Sequence, residues 1–470
     1  MNLTKLLLGM GLLFAAGFHI DIAKAQQKPK IKPNVIVIIA DDLGYMDIQC
    51  YGADKVKTPN IDRLAKEGTK FNNFYSMPSS SPSCAALLTG CYPKRVGITS
   101  DLGPKGADWT EKVYNLGLNP AEMSMAKLVK QNNYATCYIG KWHLGDDTTF
   151  LPTKQGFDEF FGIPYANDIN KQVNPQWDEL PLIDGTKTIE RNPDQTLLSK
   201  RYTDRAINFI TQNSSSQFLL CMALTNTHVP LAVSKDFIGK SKGGLFYDAV
   251  AETDWVVGQI EKTIQKLNID KQTIIIFTSD NGPNILYGNH AGYAGGFREG
   301  VNTIFEGGVR VPFIFRYPDR APGGQETNEF GSIMDIFPTI SDLTRNAMPA
   351  AKIDGIDLWP VLSGMEKLLR ARKAYYYYLG DQLLAVRQGP WKLYLPHSYP
   401  SVQIPGKDGK PGKIKTMQTE IALYNLDNDP SETNNVFGEN RDQVKKMQAL
   451  TDPCDKELEQ NKRPAGKVNK

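Results

Sequence analysis

Residues 34–42 read NVIVIIADD, an apolar run in which five of seven residues are β-branched and which stops on two carboxylates. A run without polar alternation predicts a strand buried on both faces, as in a parallel sheet covered by helices on either side. Three later runs end in the same way. YATCYIG (134–140) stops at Lys141-Trp142-His143, FLLCMALT (218–225) at Asn226-Thr227-His228, and TIIIFTS (273–279) at Asp280-Asn281. Amphipathic stretches lie between the runs: 58–68 gathers Ile61, Leu64 and Ala65 on one helical face, and 248–267 gathers Val250, Val257, Ile260 and Ile264. Strand alternating with helix predicts an α/β fold with a mostly parallel sheet flanked by helices. Ligands of such sheets bind beyond the carboxyl ends of the strands. The four runs therefore carry carboxylates, an amide, a lysine and two histidines to one edge.

The rest of the chain narrows the function classes. It has 470 residues, 41% hydrophobic and 22% charged, with 54 Lys and Arg against 51 Asp and Glu for a net charge of +3. That balance excludes a nucleic-acid binder or a membrane-surface clamp on electrostatic grounds. Residues 1–25 read as a signal peptide: Lys5, an apolar stretch at 6–18 too short to span a bilayer, and Ala23-Lys24-Ala25 before the expected cut. No Cys follows the apolar stretch to carry a lipid, so the mature chain is expected to be exported, periplasmic or secreted, with no membrane span. The six cysteines have no framework spacing and are expected to be free thiols. Two domains are expected, 26–350 with the large sheet and 351–470 as a smaller α+β domain with an antiparallel sheet. The Lys-rich stretch from Asn461 is expected to fray.

Asp41, Asp42, Asp280 and Asn281 offer only oxygen ligands, which suits Ca²⁺, and less well Mg²⁺, rather than zinc. A single Asp after a strand is ordinarily a cap or a turn residue, but two acidic clusters at equivalent strand ends favour a hard-cation site. SSSPSCAALLTG (79–90) predicts a helix with Ser81 as N-cap, Pro82 at its first position and Gly90 as its stop. Ser80 then stands at a helix mouth, where free N–H groups favour anions. A nucleophile beside a carboxylate metal site is equipment for transferring a phosphoryl or sulfuryl group.

Together these residues resemble the type I, formylglycine-dependent sulfatases of the alkaline-phosphatase superfamily, of arylsulfatase and N-acetylgalactosamine-6-sulfatase type. The resemblance is carried in family order by 34–52, TPNIDRLAKEGTKFNNFY (58–75), 80–97, GKWHLG (140–145), THVPL (227–231), SDNG (279–282) and FEGGVRVP (305–312). VRQGPWKL (386–393) and LYNLDNDPSETN (423–434) resemble the family's smaller domain. The resemblance implies an alkaline-phosphatase-like fold and hydrolysis of sulfate esters. Ser80 occupies the C/S-x-P-S-R position oxidised to formylglycine, whose hydrate attacks sulfur through one hydroxyl and expels sulfate by collapse of the other. It further implies that Asp41, Asp42, Asp280 and Asn281 hold Ca²⁺, that Lys141 binds a sulfate oxygen, that His143 bonds the formylglycine hydroxyl and that His228 protonates the leaving alcohol. A serine precursor implies an anaerobic radical maturase as partner, and exported members of this type imply a sulfated carbohydrate substrate.

Two positions depart from the pattern. Cys84 stands where the family has Arg, and Val301 where it has a sulfate-binding Lys. Each lost charge-assisted hydrogen bond is worth about 1.5–3 kcal/mol. Arg298 would compensate if its loop turned inward. Cys84 itself lacks the Pro and Arg that maturation reads, so Ser80 stays the candidate. Two further readings stay open: a glycan-binding member without turnover, and a phosphoester hydrolase using unmodified Ser80. Tyr375–Tyr378 are expected to form a strand, Trp177 to pack a long loop, and Arg370, Arg372 and Lys373 to form a solvated basic turn.

Overall fold

The computed structural model describes residues 32–104, 114–364 and 372–468. The expected signal peptide (1–25) and Arg370 lie outside them. The run that begins with Asn34 is a strand, Asn34–Ala40, and every residue of it is buried. Val35, Val37 and Ile39 enter one hydrophobic cluster while Ile36, Ile38 and Ala40 enter another. That alternation is the period-2 geometry of a strand with a core on each face.

Asn34–Ala40 lies in a sheet of ten strands. The four expected runs are its four central neighbours, in the order Thr273–Ser279, Asn34–Ala40, Phe218–Ala223 and Ala135–Lys141, all parallel. Glu159–Ile163 extends the parallel set, and Pro181–Asp184 and Lys187–Arg191 close that side as an antiparallel hairpin. On the other side Phe313–Arg316 runs antiparallel between Thr273–Ser279 and Thr69–Tyr75, and Gln325–Ser332 forms the far edge. The expected helices are Pro59–Glu67, with Pro59 in its first turn, and the longer Leu245–Lys266. Among the described residues all six cysteines are free, as expected.

From residue 32 onward the chain is one compact unit. Its second sheet is antiparallel and four-stranded: Tyr375–Leu379, Gln382–Gln388, Trp391–Tyr394 and Ala422–Asn425. The expected tyrosine strand is thus its first strand. A separate hairpin pairs His397–Ile404 with Lys413–Thr419, and the helix Arg441–Gln460 packs on Gln382–Gln388. Through residue 468 the tail is tied down, against the expected fraying. Gly466–Lys467 pairs with Leu116–Gly117, and Arg463 holds Glu122 at 2.7 Å, so backbone and charge together override the Lys-rich composition.

A buried ionic network joins the second sheet to the loop before the short helix Glu306–Val309. Lys392, with no exposed side-chain surface, lies 2.9 Å from Glu306 and 3.0 Å from Glu432, and donates to the Ile304 carbonyl at 2.8 Å. Tyr75 donates to Glu306 at 2.6 Å and accepts from Arg387. Arg310 reaches the same carboxylate at 3.4 Å. Burial alone would raise the Glu306 carboxyl, but Lys392, Arg310 and Arg387 outweigh it and hold it at about 2. Such a network is weak evidence for net stability, yet removing one member leaves a buried charge uncompensated.

Candidate active site

Each candidate residue reaches the site from the carboxyl end of a central strand or from the mouth of one helix. Asp41 and Asp42 follow Asn34–Ala40, Asp280 and Asn281 follow Thr273–Ser279, Lys141 ends Ala135–Lys141, and His143 follows two residues later. His228 lies on the loop beyond Phe218–Ala223. Asp42 and His143 hold φ of 54° and 57°, left-handed backbone that non-glycine residues adopt only when their surroundings impose it.

Ser80 is the first residue of the helix Ser80–Thr89, whose N-cap is Ser79. The expected N-cap, Ser81, is instead inside the first turn. Its own N–H bonds Asp101 Oδ1 at 2.9 Å, so a carboxylate from outside the segment supplies the cap. Ser81 Oγ donates to the His143 carbonyl at 2.6 Å and accepts from the Leu102 N–H at 3.0 Å. Ser83 Oγ donates to the Asp280 carbonyl and accepts from the Met77 N–H at 3.0 Å. Two serines flanking Pro82 therefore tie the nucleophile helix to both the histidine loop and the acidic loop.

One chain of contacts links seven of the eight candidates. Lys141 Nζ donates to Asp41 Oδ2 at 2.7 Å and to Ser80 Oγ at 3.0 Å. Ser80 Oγ faces Asn281 Oδ1 at 3.4 Å, and Asn281 Nδ2 donates to Asp42 Oδ1 at 2.6 Å. The Asp42 N–H reaches Asp280 Oδ1 at 3.1 Å, and His228 Nε2 stands 3.8 Å from Asp42 Oδ2. The eighth, His143, lines a cavity of about 530 Å³ with Ser80, Asp42 and His228.

Burial raises Asp42, and burial with the neighbouring Asp41 pushes Asp280 up to about 7. Lys141 shows the reverse balance: burial pulls it down, but Asp41 and Asp280 outweigh that and keep it a firm cation. Burial, aided by Lys141 and His228, drives His143 well below the ordinary range, so it is a neutral imidazole. At His228 burial also pulls down, but Asp41, Asp42 and Asp168 prevail and raise it. Three crowded carboxylates face one lysine.

The donor set fits a cation. Asp41 Oδ1 is buried without a hydrogen-bond partner, and ligand atoms of Asp41, Asp42 and His228 lie within 4.8 Å of one another. The ring Nδ1 atoms of His143 and His228 are buried and unpartnered as well.

Cys84 lies one turn beyond Ser80, buried, its thiol pushed up by burial and then by Asp280. Val301 and Asn302 form part of the cavity wall. Arg298 does not replace the missing lysine: its guanidinium packs 4.0 Å from the Phe305 ring centre and donates to Tyr399 OH at 2.7 Å. Asp101 and Asp168 also line the cavity, and neither carries a sequence signal, since both sit in irregular loops away from any strand-end pattern. Trp177 packs against the core, and Arg372 pairs with buried Asp335 instead of forming a solvated turn.

Known proteins resemble this chain in sequence and in fold. Residues 33–347 match the Sulfatase family and residues 370–470 match the C-terminal region of aryl-sulfatase. N-acetylgalactosamine-6-sulfatase of Canis lupus familiaris is 38% identical over 381 residues, covering 77% of this chain and 71% of that protein. The crystal structure of PsFucS1 sulfatase from Pseudoalteromonas sp. superimposes with a TM-score of 0.80 at 27% identity, over 93% of this chain and 92% of that one. The structure of Ps i-CgsB in complex with k-i-k-neocarrahexaose does so with a TM-score of 0.75 at 28% identity, over 92% and 94%.

Proposed function

The chain belongs to the sulfatase family of sulfuric ester hydrolases, and from that premise we propose that it is exported and removes O-sulfate groups from glycans or glycosaminoglycan-type sugars. The observation that carries this reading is the bonded chain Asp41–Lys141–Ser80–Asn281–Asp42 at the floor of a cavity that also presents both histidines. The sugar in the name of the N-acetylgalactosamine-6-sulfatases and the k-i-k-neocarrahexaose of the Ps i-CgsB structure support a sulfated sugar.

In this reading Ser80 is matured to formylglycine by an anaerobic radical maturase, and Asp41, Asp42, Asp280 and Asn281 hold a divalent cation, Ca²⁺ in preference to Mg²⁺. Formylglycine supplies a hydrated aldehyde, a nucleophile that is not left as a stable sulfate ester. The cation supplies positive charge for the sulfate oxygens. Lys141, already shared between Asp41 and Ser80, orients the nucleophile and adds a donor for a sulfate oxygen. His143, neutral, accepts a hydrogen bond from the hydroxyl at position 80. His228, whose carboxylate neighbours raise its affinity for a proton, delivers the proton from Nε2 to the leaving sugar oxygen.

The test is mass spectrometry of the Ser80 peptide from protein co-produced with the maturase, with sulfate release measured on N-acetylgalactosamine 6-sulfate. The expected result is a loss of about 2 Da, the mass of two hydrogens, at the activated residue, together with released sulfate. Unmodified Ser80 and no sulfate from any sulfated sugar would overturn it. Cys84 and Val301 favour a second reading, glycan binding without turnover. If release begins only in the Cys84→Arg, Val301→Lys variant, that reading replaces the first.

A further inference from the structure

A second cavity, of about 300 Å³, opens where the edge strand Gln325–Ser332 meets the C-terminal sheet, and it shares no lining residue with the catalytic cavity. Its mouth is shaped by a β-bulge. The ladder between Gln325–Ser332 and Thr69–Tyr75 skips between Thr327 and Phe330, leaving Asn328 and Glu329 outside the pairing. Bulges of this kind re-aim side chains and are frequent beside binding sites.

Tyr375, Arg387 and Arg372 make the buried part of the cavity wall. Arg387 is 5% exposed and the Arg372 side chain 10%. Their guanidinium carbons lie 5.0 and 5.9 Å from the Phe330 ring centre. Arg372 pairs with Asp335, and its Nε is buried without a partner. Arg387 donates to the Tyr75 hydroxyl and, at 3.0 Å, to the Gly389 carbonyl. Among the described residues no carboxylate forms an ion pair with it. In the network behind it, Arg310 and Lys392 pair with Glu306 and Lys392 also with Glu432, while Arg387 reaches that network through the Tyr75 hydroxyl.

Aromatic faces and a tyrosine hydroxyl offset part of the charge of a buried guanidinium, but a desolvated cation at a cavity wall favours an anion. The remaining lining is suited to hydroxyl groups: Asn73, Glu329 and Asp427 stand at the half-buried and exposed parts of the rim. An anion seat within reach of amide and carboxylate groups, beside an aromatic ring and in a volume at the small end of ligand pockets, fits one substituted sugar ring. We propose that this cavity is a second, non-catalytic site for a sulfated monosaccharide unit, with Arg387 and Arg372 taking the sulfate and the rim taking hydroxyls. The choice of a sulfated sugar rests on the glycan reading above, whereas the need for an anion rests on Arg387, the lining arginine that forms no ion pair among the described residues.

Calorimetric titration of Ser80→Ala protein with N-acetylgalactosamine 6-sulfate tests it, with the unsulfated sugar and inorganic sulfate as parallel probes. Two sites per chain are expected for the sulfated sugar. The cavity-filling variant Asn73→Phe is expected to remove one of them, and Asp427→Ala on the exposed rim to weaken it about threefold, a fraction of one hydrogen bond. Arg387→Gln is expected to weaken it about tenfold, the loss of one charge-assisted bond, with a thermal melt run alongside to register folding. A Ser80→Ala protein in which no site for the sulfated sugar responds to Asn73→Phe overturns the proposal. Inorganic sulfate binding there as tightly as the sugar overturns its saccharide part. A second site without sulfate release by matured wild-type protein sinks the catalytic reading and leaves this one standing. Release without a second site does the opposite.

Discussion

Ser81 shows how little of the site's rigidity is written next to its chemistry. Its hydroxyl joins the His143 carbonyl and the Leu102 N–H, two groups from separate loops. Ser81→Ala is expected to lose about 1–2 kcal/mol of stability by leaving both unsatisfied, measured by urea unfolding. Sulfate release should fall about tenfold, because His143 loses its mooring while the nucleophile stays in place. The eight candidates could be picked out in the sequence because several strand ends and one helix mouth carry polar groups to the same edge; any one Asp there would read as a cap, and the family resemblance supplied the roles of the lysine and the histidines. Ser81 as a clamp, Asp101 as a cap and Asp168 as a wall were not legible. Their contacts join loops whose approach only the fold creates. Arg298 misled for the same reason: its charge was visible, but not the Phe305 and Tyr399 rings that claim it.

The central strands explain both their own legibility and their tolerances. Val, Ile and Phe runs identify themselves because both faces are buried, whereas QETNEFGS (325–332), a polar edge strand with a bulge, has no such signature. Within the strands, Gly140 holds φ of 103°, and a Cβ there would sit 1.9 Å from the Ala223 carbonyl oxygen. Gly162 in the next strand would place a Cβ 1.9 Å from the Gly140 oxygen. Gly140→Ala is therefore expected to cost about 2–4 kcal/mol and to displace Lys141 with it, read by chemical denaturation and kcat together. The loop after Asn34–Ala40 carries a pH dependence. Asp47 accepts from the Gly44 N–H at 2.7 Å, the Tyr293 N–H at 2.8 Å and the Tyr247 hydroxyl at 3.0 Å, and burial pushes its carboxyl up from 3.8 to about 7. The folded state thus binds this proton more tightly than the unfolded chain. Its contribution is full below pH 3.8 and fades as pH rises through 7. Asp47→Asn should flatten that part of the stability profile, seen as melting temperatures that converge with wild type at low pH and separate by pH 7.5.

At the scale of the molecule, the large sheet ends in sequence with Gln325–Ser332 and the antiparallel sheet begins with Tyr375–Leu379; we propose a seam between them near residue 350, across which the two parts depend on each other to fold. A chain cut there keeps Glu306 and loses Lys392, Arg387 and Glu432, so it is expected to be insoluble or to lack a cooperative melt. The point variant Lys392→Met should cost about 3–5 kcal/mol, the usual result of stranding a buried carboxylate, with circular dichroism melts as the readout. The tail adds a second tie across the seam. Gly466–Lys467 pairs with Leu116–Gly117, Val468 donates to the Asn115 carbonyl at 3.1 Å, and Arg463 grips Glu122. A carboxypeptidase digesting inward would therefore meet resistance within a few residues of the end. Once past Arg463 it would loosen a loop more than 300 positions away in the chain, which makes the last residues a poor place for a cleavable fusion and a sensitive place for ageing by proteolysis.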